Sequence, residues 1–238
     1  MKYNIAGIIV DLNIRFPRLK RQSEAYRYAG ELPANITTRL TEEFFELTLL
    51  ANPHLDYESI EYIWMGSEFY KALLHFNGML LHSSCVVYED KAYLFSAPCG
   101  TGKSTHTQIW LKRFPGAYIL NDDKPAIRFQ NDTWIAYGTP WSGKNDISVN
   151  TGVPVAGIAI LERGEFNQID RCIPSEVIHC IYKQINRKTQ TAEFRAKQLE
   201  LLDKLITQVP IWKLKCNMEP EAAIVAYEAM SGEKWRKE

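Results

Sequence analysis

The chain lacks several features that would have announced a class of protein. No run approaches the roughly 18 to 20 unbroken apolar residues that a bilayer span needs, so a membrane helix is excluded as an organising feature. Net charge is also missing: 28 Lys and Arg balance 28 Asp and Glu, leaving no global field to draw nucleic acid or an anionic membrane. Neither kind of partner is expected. Cysteine is scarce. The five (Cys85, Cys99, Cys172, Cys180, Cys216) are odd in number and contain no C-x-x-C pair, which argues against a disulfide framework and a zinc site. They read as buried, reduced thiols of a cytosolic protein. The first ten residues carry one lysine and an apolar stretch that Asp11 ends quickly, with no cleavage site after it. That pattern suits a β-strand better than a signal peptide, so the expected compartment is the cytosol. His54, His75, His106 and His179 have no metal-ligand spacing, and His106 reads as an exposed residue in a helix's first turn. Repeats and low-complexity tracts are absent.

What is present is enough apolar material, 46% of 238 residues, for a sizeable core in one large or two small domains. Two regions differ in pattern. Residues 1–75 form an α+β accessory region, with a strand over 5–14, a basic stretch over 15–27, and a helix over 67–76. Thr41 heads a short apolar run there without the Glu of a full capping box. Residues 76–238 are more strongly patterned. Strands are predicted over 79–87, 91–96, 117–120, 155–162 and 211–214, and a hairpin over 126–137. Helices are predicted over 103–114, 175–185, 192–206 and 220–230. The fold class is α/β with a mixed β-sheet.

The most specific signal is Ala97-Pro98-Cys99-Gly100-Thr101-Gly102-Lys103-Ser104. It fits the relaxed P-loop pattern, with Ala97 where the stricter form has glycine. An apolar strand leads in and a helix leads out, which places backbone N–H groups at a helix N-terminus, a preformed site for phosphates. The phosphate-binding residues are therefore expected to be Cys99, Gly100, Thr101, Gly102, Lys103, Ser104 and Thr105. Lys103 would reach the outer phosphates and the Ser104 hydroxyl would serve Mg²⁺. Asp122-Asp123 stands 19 to 20 residues after Lys103, at the end of the next strand. An acid there suits a metal, and two adjacent acids allow one to hold Mg²⁺ while the other takes a proton from a hydroxyl. An isolated Asp-Asp would read instead as a solvated turn.

His82 lies on a predicted strand in Leu80-Leu81-His82-Ser83-Ser84-Cys85. It is either a core histidine or, if its strand neighbours the loop's strand, a group that approaches phosphates or orients an aspartate. Gly138-Thr139-Pro140-Trp141-Ser142-Gly143-Lys144 combines turn residues, an aromatic and a cation. Trp141 and Lys144 are substrate candidates on that loop, against a plain surface turn with Trp141 packed for stability. Arg163, just past a strand, is a further candidate for transition-state charge.

Taken together, the His82 strand, the loop at 97–104, the strand ending in Asp122-Asp123 and the late Val209-Pro210-Ile211-Trp212-Lys213-Leu214 segment resemble the HPr kinase-like family. That family shares its nucleotide-binding core with phosphoenolpyruvate carboxykinases. The resemblance covers residues 78–216, most specifically 80–124, and is closer to the shorter HPr-kinase-related proteins than to the bifunctional kinase/phosphorylase. It implies ATP and Mg²⁺ as cofactors, with Lys103 on the β/γ-phosphates and Ser104 on the metal. It also implies Asp122 or Asp123 as base toward a serine hydroxyl, His82 near the phosphates, and a homo-oligomer. No equivalent of the longer family's C-terminal signature is found, and residues 1–75 do not resemble its regulatory domain. Phosphorylase activity and HPr itself as substrate are accordingly not expected.

The resulting expectation is an ATP-dependent phosphotransferase acting on serine of a peptide or protein. Two alternatives stand beside it. One is a small-molecule kinase of the same fold, and the other a non-catalytic ATP-binding partner within a peptide-modification system.

Overall fold

A hairpin replaces the single strand expected over residues 5–14. In the computed structural model, which describes residues 1–185 and 191–236, β1 (Lys2–Ile5) and β2 (Ile8–Leu12) pair antiparallel. Ala6 and Gly7 turn between them at φ 54° and 73°, the paired positive φ that a two-residue hairpin requires. The apolar pattern runs through this turn, which hides it from periodicity. α1 (Pro17–Gln22) follows with Pro17 in its first turn, and β3 (Ile36–Thr38) joins β2 in parallel.

Two capped helices complete the first region. The Thr41 side chain accepts from Phe44 N at the start of α2 (Glu42–Ala51), and Asp56 accepts from Ser59 N, at 2.7 Å, at the start of α3 (Tyr57–Leu73). α3 begins well before the helix expected at 67–76, because Ile60, Met65, Phe69 and Leu73 continue one buried face back to its cap. Fully buried Glu61 of α3 accepts the backbone N–H of Arg15 (2.7 Å) and Phe16 (3.0 Å), which fixes the approach to α1. Burial still holds its carboxyl above the usual range despite those donors.

The rest of the chain builds a curled mixed sheet covered on both faces. β4 (Gly78–Leu80), β5 (Ser83–Tyr88) and β6 (Lys91–Ser96) come first, then α4 (Lys103–Arg113) and β7 (Tyr118–Asn121). β8 (Ala126–Gln130) and β9 (Thr133–Tyr137) form the expected hairpin. β10 (Gly152–Arg163), β11 (Gln168–Arg171), α5 (Pro174–Gln184), α6 (Ala192–Gln208), β12 (Ile211–Cys216) and α7 (Glu221–Ser231) follow. The strand order is β4-β8-β9-β10-β6-β5-β7, with β12 also on β10 and β11 on β12.

Long β10 organises the sheet. Gly152–Pro154 pairs antiparallel with β9, while the later residues run parallel to β6 on one side and β12 on the other. Its register slips between Val155 and Gly157, and an irregularity of this kind bends a strand away from one partner toward another. Alternation then divides the faces. Tyr93, Phe95, Ala159 and Leu161 point toward α4 and α7, into a cluster with Trp110, Phe114, Trp212 and Tyr227. Leu94, Ile158 and Ile160 point the other way, toward Val177 and Ile181 of α5 and Leu201 and Leu205 of α6.

A third apolar cluster joins the two regions, since Leu80, Ala126 and Trp141 pack with Tyr3, Ile5, Phe45, Met65 and Phe69. The Arg128 guanidinium reinforces the joint by donating to Ala6 O (2.6 Å) and Phe76 O (3.2 Å). Among the described residues no helix is long and apolar enough to cross a membrane.

Candidate functional site

The glycine-rich loop connects β6 to α4, and its shape depends on two glycines. Gly100 and Gly102 have φ of 79° and 123°, values that L side chains rarely adopt. A Cβ at either would meet no heavy atom within 4 Å, so conformation rather than crowding requires glycine. No side chain caps α4, which leaves its first-turn N–H groups for another acceptor. Lys103 Nζ folds back to donate to Ala97 O (2.9 Å) and Pro98 O (3.4 Å). Burial holds the ammonium below its ordinary value, while the charges of Asp123, Cys99 and Asp122 oppose that shift. Both aspartates are therefore within electrostatic reach of Lys103. Arg163, at the end of β10, donates to Gly100 O (2.6 Å) and Thr101 O (3.2 Å). Ser104 is half-buried, and Cys99 and Thr105 are exposed.

The two aspartates follow β7 in a turn that Asn121 shapes. Its Oδ1 accepts from Asp123 N (3.0 Å) and Lys124 N (2.7 Å), and its Nδ2 donates to Thr139 O (2.9 Å). Asp122 is buried. Ser84 Oγ donates to its Oδ1 at 2.7 Å and Asn145 Nδ2 to its Oδ2 at 2.5 Å. Ser84 Oγ also shares a hydrogen bond with Thr107 Oγ1 (2.9 Å), one turn into α4. A chain of hydroxyls thus links the helix that begins at Lys103 to the Asp122 carboxylate.

Asp123 is held differently. Its Oδ1 faces His82 Nε2 at 3.1 Å and its Oδ2 faces Lys124 Nζ at 3.1 Å. Burial alone would raise its carboxyl; the His82 hydrogen bond and the Lys124 charge outweigh burial and hold it below the usual range. His82 Nδ1 lies 3.0 Å from Gln184 Oε1, so both ring nitrogens have partners.

His82 is not on a strand. The expected strand over 79–87 breaks at Leu81-His82, where Leu81 N donates to Pro125 O (3.3 Å) and His82 N to Gln184 O (2.8 Å). β4 pairs with β8, while β5 pairs with β6 and β7. The break lets the imidazole reach Asp123.

The remaining candidates have the following surroundings. Trp141 is only 1% exposed, stacks on Phe69 (centroids 5.2 Å apart) and donates from Nε1 to Tyr62 O at 2.9 Å. It is a core side chain. Lys144 is exposed on the same loop. His106 is buried at 3%, not exposed, and Trp110 Nε1 donates to its Nε2 at 3.1 Å. Of the five thiols, Cys85 alone is buried, and Cys99 and Cys180 are exposed. Residues absent from the sequence-based site are Ser84, Thr107, Asn121, Lys124, Asn145 and Gln184. All but Gln184 lie within two residues of chosen ones, and Asn145, which immediately follows Lys144, carries no signal of its own.

Two clefts meet at the loop. One, of about 520 Å³, is lined by Gly102, His106, Ile109, Leu161, Asn217 and Met218 among others. The second, of about 620 Å³, is lined by Pro98, Cys99, Glu162, Cys180, Lys183 and Gln184 among others. Among the described residues no group of three His, Cys, Asp or Glu side chains is arranged to cage a metal ion.

No family model and no curated protein matches the chain. Among solved structures it is similar to the HPr(Ser) kinase/phosphatase from Coxiella burnetii, at 12% identity and a TM-score of 0.38. The match covers 64% of this chain and 95% of that one. At that TM-score the two agree only loosely.

Proposed function

We propose that the chain is an ATP-dependent phosphotransferase with a P-loop nucleotide-binding core, and that it moves the γ-phosphoryl group to a hydroxyl, serine of a peptide or protein. One observation carries this reading. Two carboxylates with different partners stand at a strand end beside a glycine-rich loop, and both act electrostatically on that loop's lysine. A solvated turn would not give Asp122 two donors and bury it to 6% exposure.

The donor set fits Mg²⁺. The cation prefers oxygen ligands and usually takes one or two carboxylates plus phosphates and waters rather than an all-protein cage. Asp122 accepts from the neutral donors Ser84 and Asn145, a carboxylate of the kind the cation takes, and the Ser104 hydroxyl would supply a second oxygen. Bound there, Mg²⁺ would neutralise charge on the β- and γ-phosphates.

The remaining steps belong to the chain. Backbone N–H groups of Gly100 to Thr105 receive the phosphates, and Lys103 Nζ exchanges the carbonyls of Ala97 and Pro98 for phosphate oxygens. The cleft walled by Ile109, Leu161 and Met218 offers the apolar surface for the base. Asp123, whose side chain is 23% exposed, is the carboxylate that an acceptor can reach. The His82 and Lys124 contacts hold it ionised, and in that form it would accept the hydroxyl proton. The acceptor oxygen then forms its bond to Pγ, and the bond from Pγ to the bridging oxygen breaks with its electrons going to ADP. His82 holds the carboxylate in place through Nε2.

The test is transfer of label from γ-labelled ATP to degenerate serine peptides, with Asp122→Asn and Asp123→Asn compared. Asp123→Asn is expected to lower kcat by at least 10²-fold with ATP affinity kept. Asp122→Asn is expected to raise the Mg²⁺ concentration needed for half-maximal turnover as well. Equal turnover in the wild type and both variants would overturn the assignment. ATP binding without transfer to any hydroxyl would identify a non-catalytic binder instead.

A further inference from the structure

We infer that residues 1–75 form part of the phosphoryl-transfer site, with Gln22 and Tyr62 acting as positioning residues for both aspartates through the loop over residues 141–148. The inference rests on the site reading above and assigns the first region a role in it.

One side of the loop is gripped by that region. Gln22 Nε2 donates to Ser142 Oγ (3.2 Å) and reaches Gly143 O (3.4 Å). Gly143 N donates to the Tyr62 hydroxyl (3.1 Å), and Trp141 Nε1 donates to Tyr62 O (2.9 Å). Ser142 Oγ in turn donates to Asp146 Oδ1 (3.2 Å), and Arg21 Nε donates to Asp146 Oδ2 (3.3 Å). Gln22, Tyr62 and Ser142 are all buried. Such interior polar contacts fix one geometry, because each group is costly to leave unpaired.

The opposite side of the loop touches the carboxylates. Gly143 has φ +76° and packs so closely that a Cβ there would stand 2.9 Å from Asp123 Cβ. Asn145 Nδ2 donates to Asp122 Oδ2 at 2.5 Å, and Asp122 N donates to Ile147 O at 3.2 Å. Gly143 therefore meets Tyr62 through its N–H and Asp123 through its α-carbon. Two residues later Asn145 holds Asp122. Displacing the Tyr62 contact shifts the peptide that supports both acids.

The experiment measures the affinity of a fluorescent ATP analogue with and without Mg²⁺ for the full chain, Tyr62→Phe, Gln22→Leu, Asn145→Ala and Tyr62→Phe/Asn145→Ala. Hydrogen exchange across residues 138–150 is followed in parallel. Asn145→Ala is expected to reduce the Mg²⁺-dependent gain in affinity about tenfold, the scale of one hydrogen bond to a charged group. Tyr62→Phe and Gln22→Leu should each reduce it about threefold and speed exchange over 138–150. All three should leave Mg²⁺-free affinity within about twofold. The double variant should be no worse than Asn145→Ala alone, since both changes act through one link. Additive losses, equal losses with and without Mg²⁺, or an unchanged Mg²⁺ gain in both Tyr62→Phe and Gln22→Leu would overturn the inference. A wild-type chain with no Mg²⁺-dependent affinity would instead sink the phosphotransfer reading, and this inference with it.

Discussion

His106 gives the pH dependence of stability a definite sign. The imidazole sits in the first turn of α4, with its ring centroid 4.4 Å from Phe95, and it accepts from Trp110 Nε1 through Nε2. Burial lowers its pKa from 6.5 to about 3, because a charged ring would lose its hydration and its role as acceptor. A base whose folded pKa is depressed stays neutral in the native state and takes up a proton on unfolding. Its contribution is thus fully present above pH 6.5 and is lost as the pH falls from 6.5 toward 3. Between pH 7 and pH 5 the linkage relation for those two pKa values gives a loss of about 2 kcal/mol. Against a typical total of about 5–15 kcal/mol, that is large enough to read from urea midpoints. Other groups titrate in the same window, so the comparison is with His106→Gln, which keeps a hydrogen-bond acceptor without titrating. The wild type is expected to lose about 2 kcal/mol more than the variant over this interval. Parallel losses would show that the ring is either solvated or charged in the native state and would refute the argument.

Two further predictions concern packing and the loop. Trp141→Ala should cost about 3–5 kcal/mol by chemical denaturation, because it removes a fully packed indole and leaves Tyr62 O without its donor; a loss under about 1 kcal/mol would mean that the indole is not part of the core. Arg163→Ala removes the two hydrogen bonds to Gly100 O and Thr101 O from an exposed side chain. Thermal midpoints should move little while ATP affinity falls about three- to tenfold, and unchanged affinity would show that the guanidinium does not brace the loop.

What was legible in the sequence is what is local. The run from β6 through the loop into α4 and on to Asp122-Asp123 is written by consecutive residues: an apolar strand, Gly-x-Gly-Lys-Ser, a helix, and a second strand closing on acids. The hairpin at β8 and β9 was readable for the same reason, since Asn131 and Asp132 tolerate the positive φ of its turn. The breaks were harder. Apolar residues continue through Ala6-Gly7 and through Leu81-His82, and pattern alone does not say that the chain changes partner strand there. The supports of the site were hidden altogether. Gln22 meets Ser142 across 120 positions, and Tyr62 meets Gly143 across 81. Polar residues at such separations leave no periodic trace. Trp141 beside Lys144 looked equally suited to a binding loop and to a core anchor, and only α3 packing against it decides between them.

The central claim is that this loop and these acids handle the γ-phosphoryl group of ATP. The most direct measurement is titration of Mg²⁺-ATP into the wild type and Lys103→Ala, with label transfer from γ-labelled ATP to serine peptides followed in the same samples. The account predicts binding and transfer by the wild type, with at least a tenfold loss of affinity and no detectable transfer in Lys103→Ala. Equal binding and equal transfer by both proteins would contradict it.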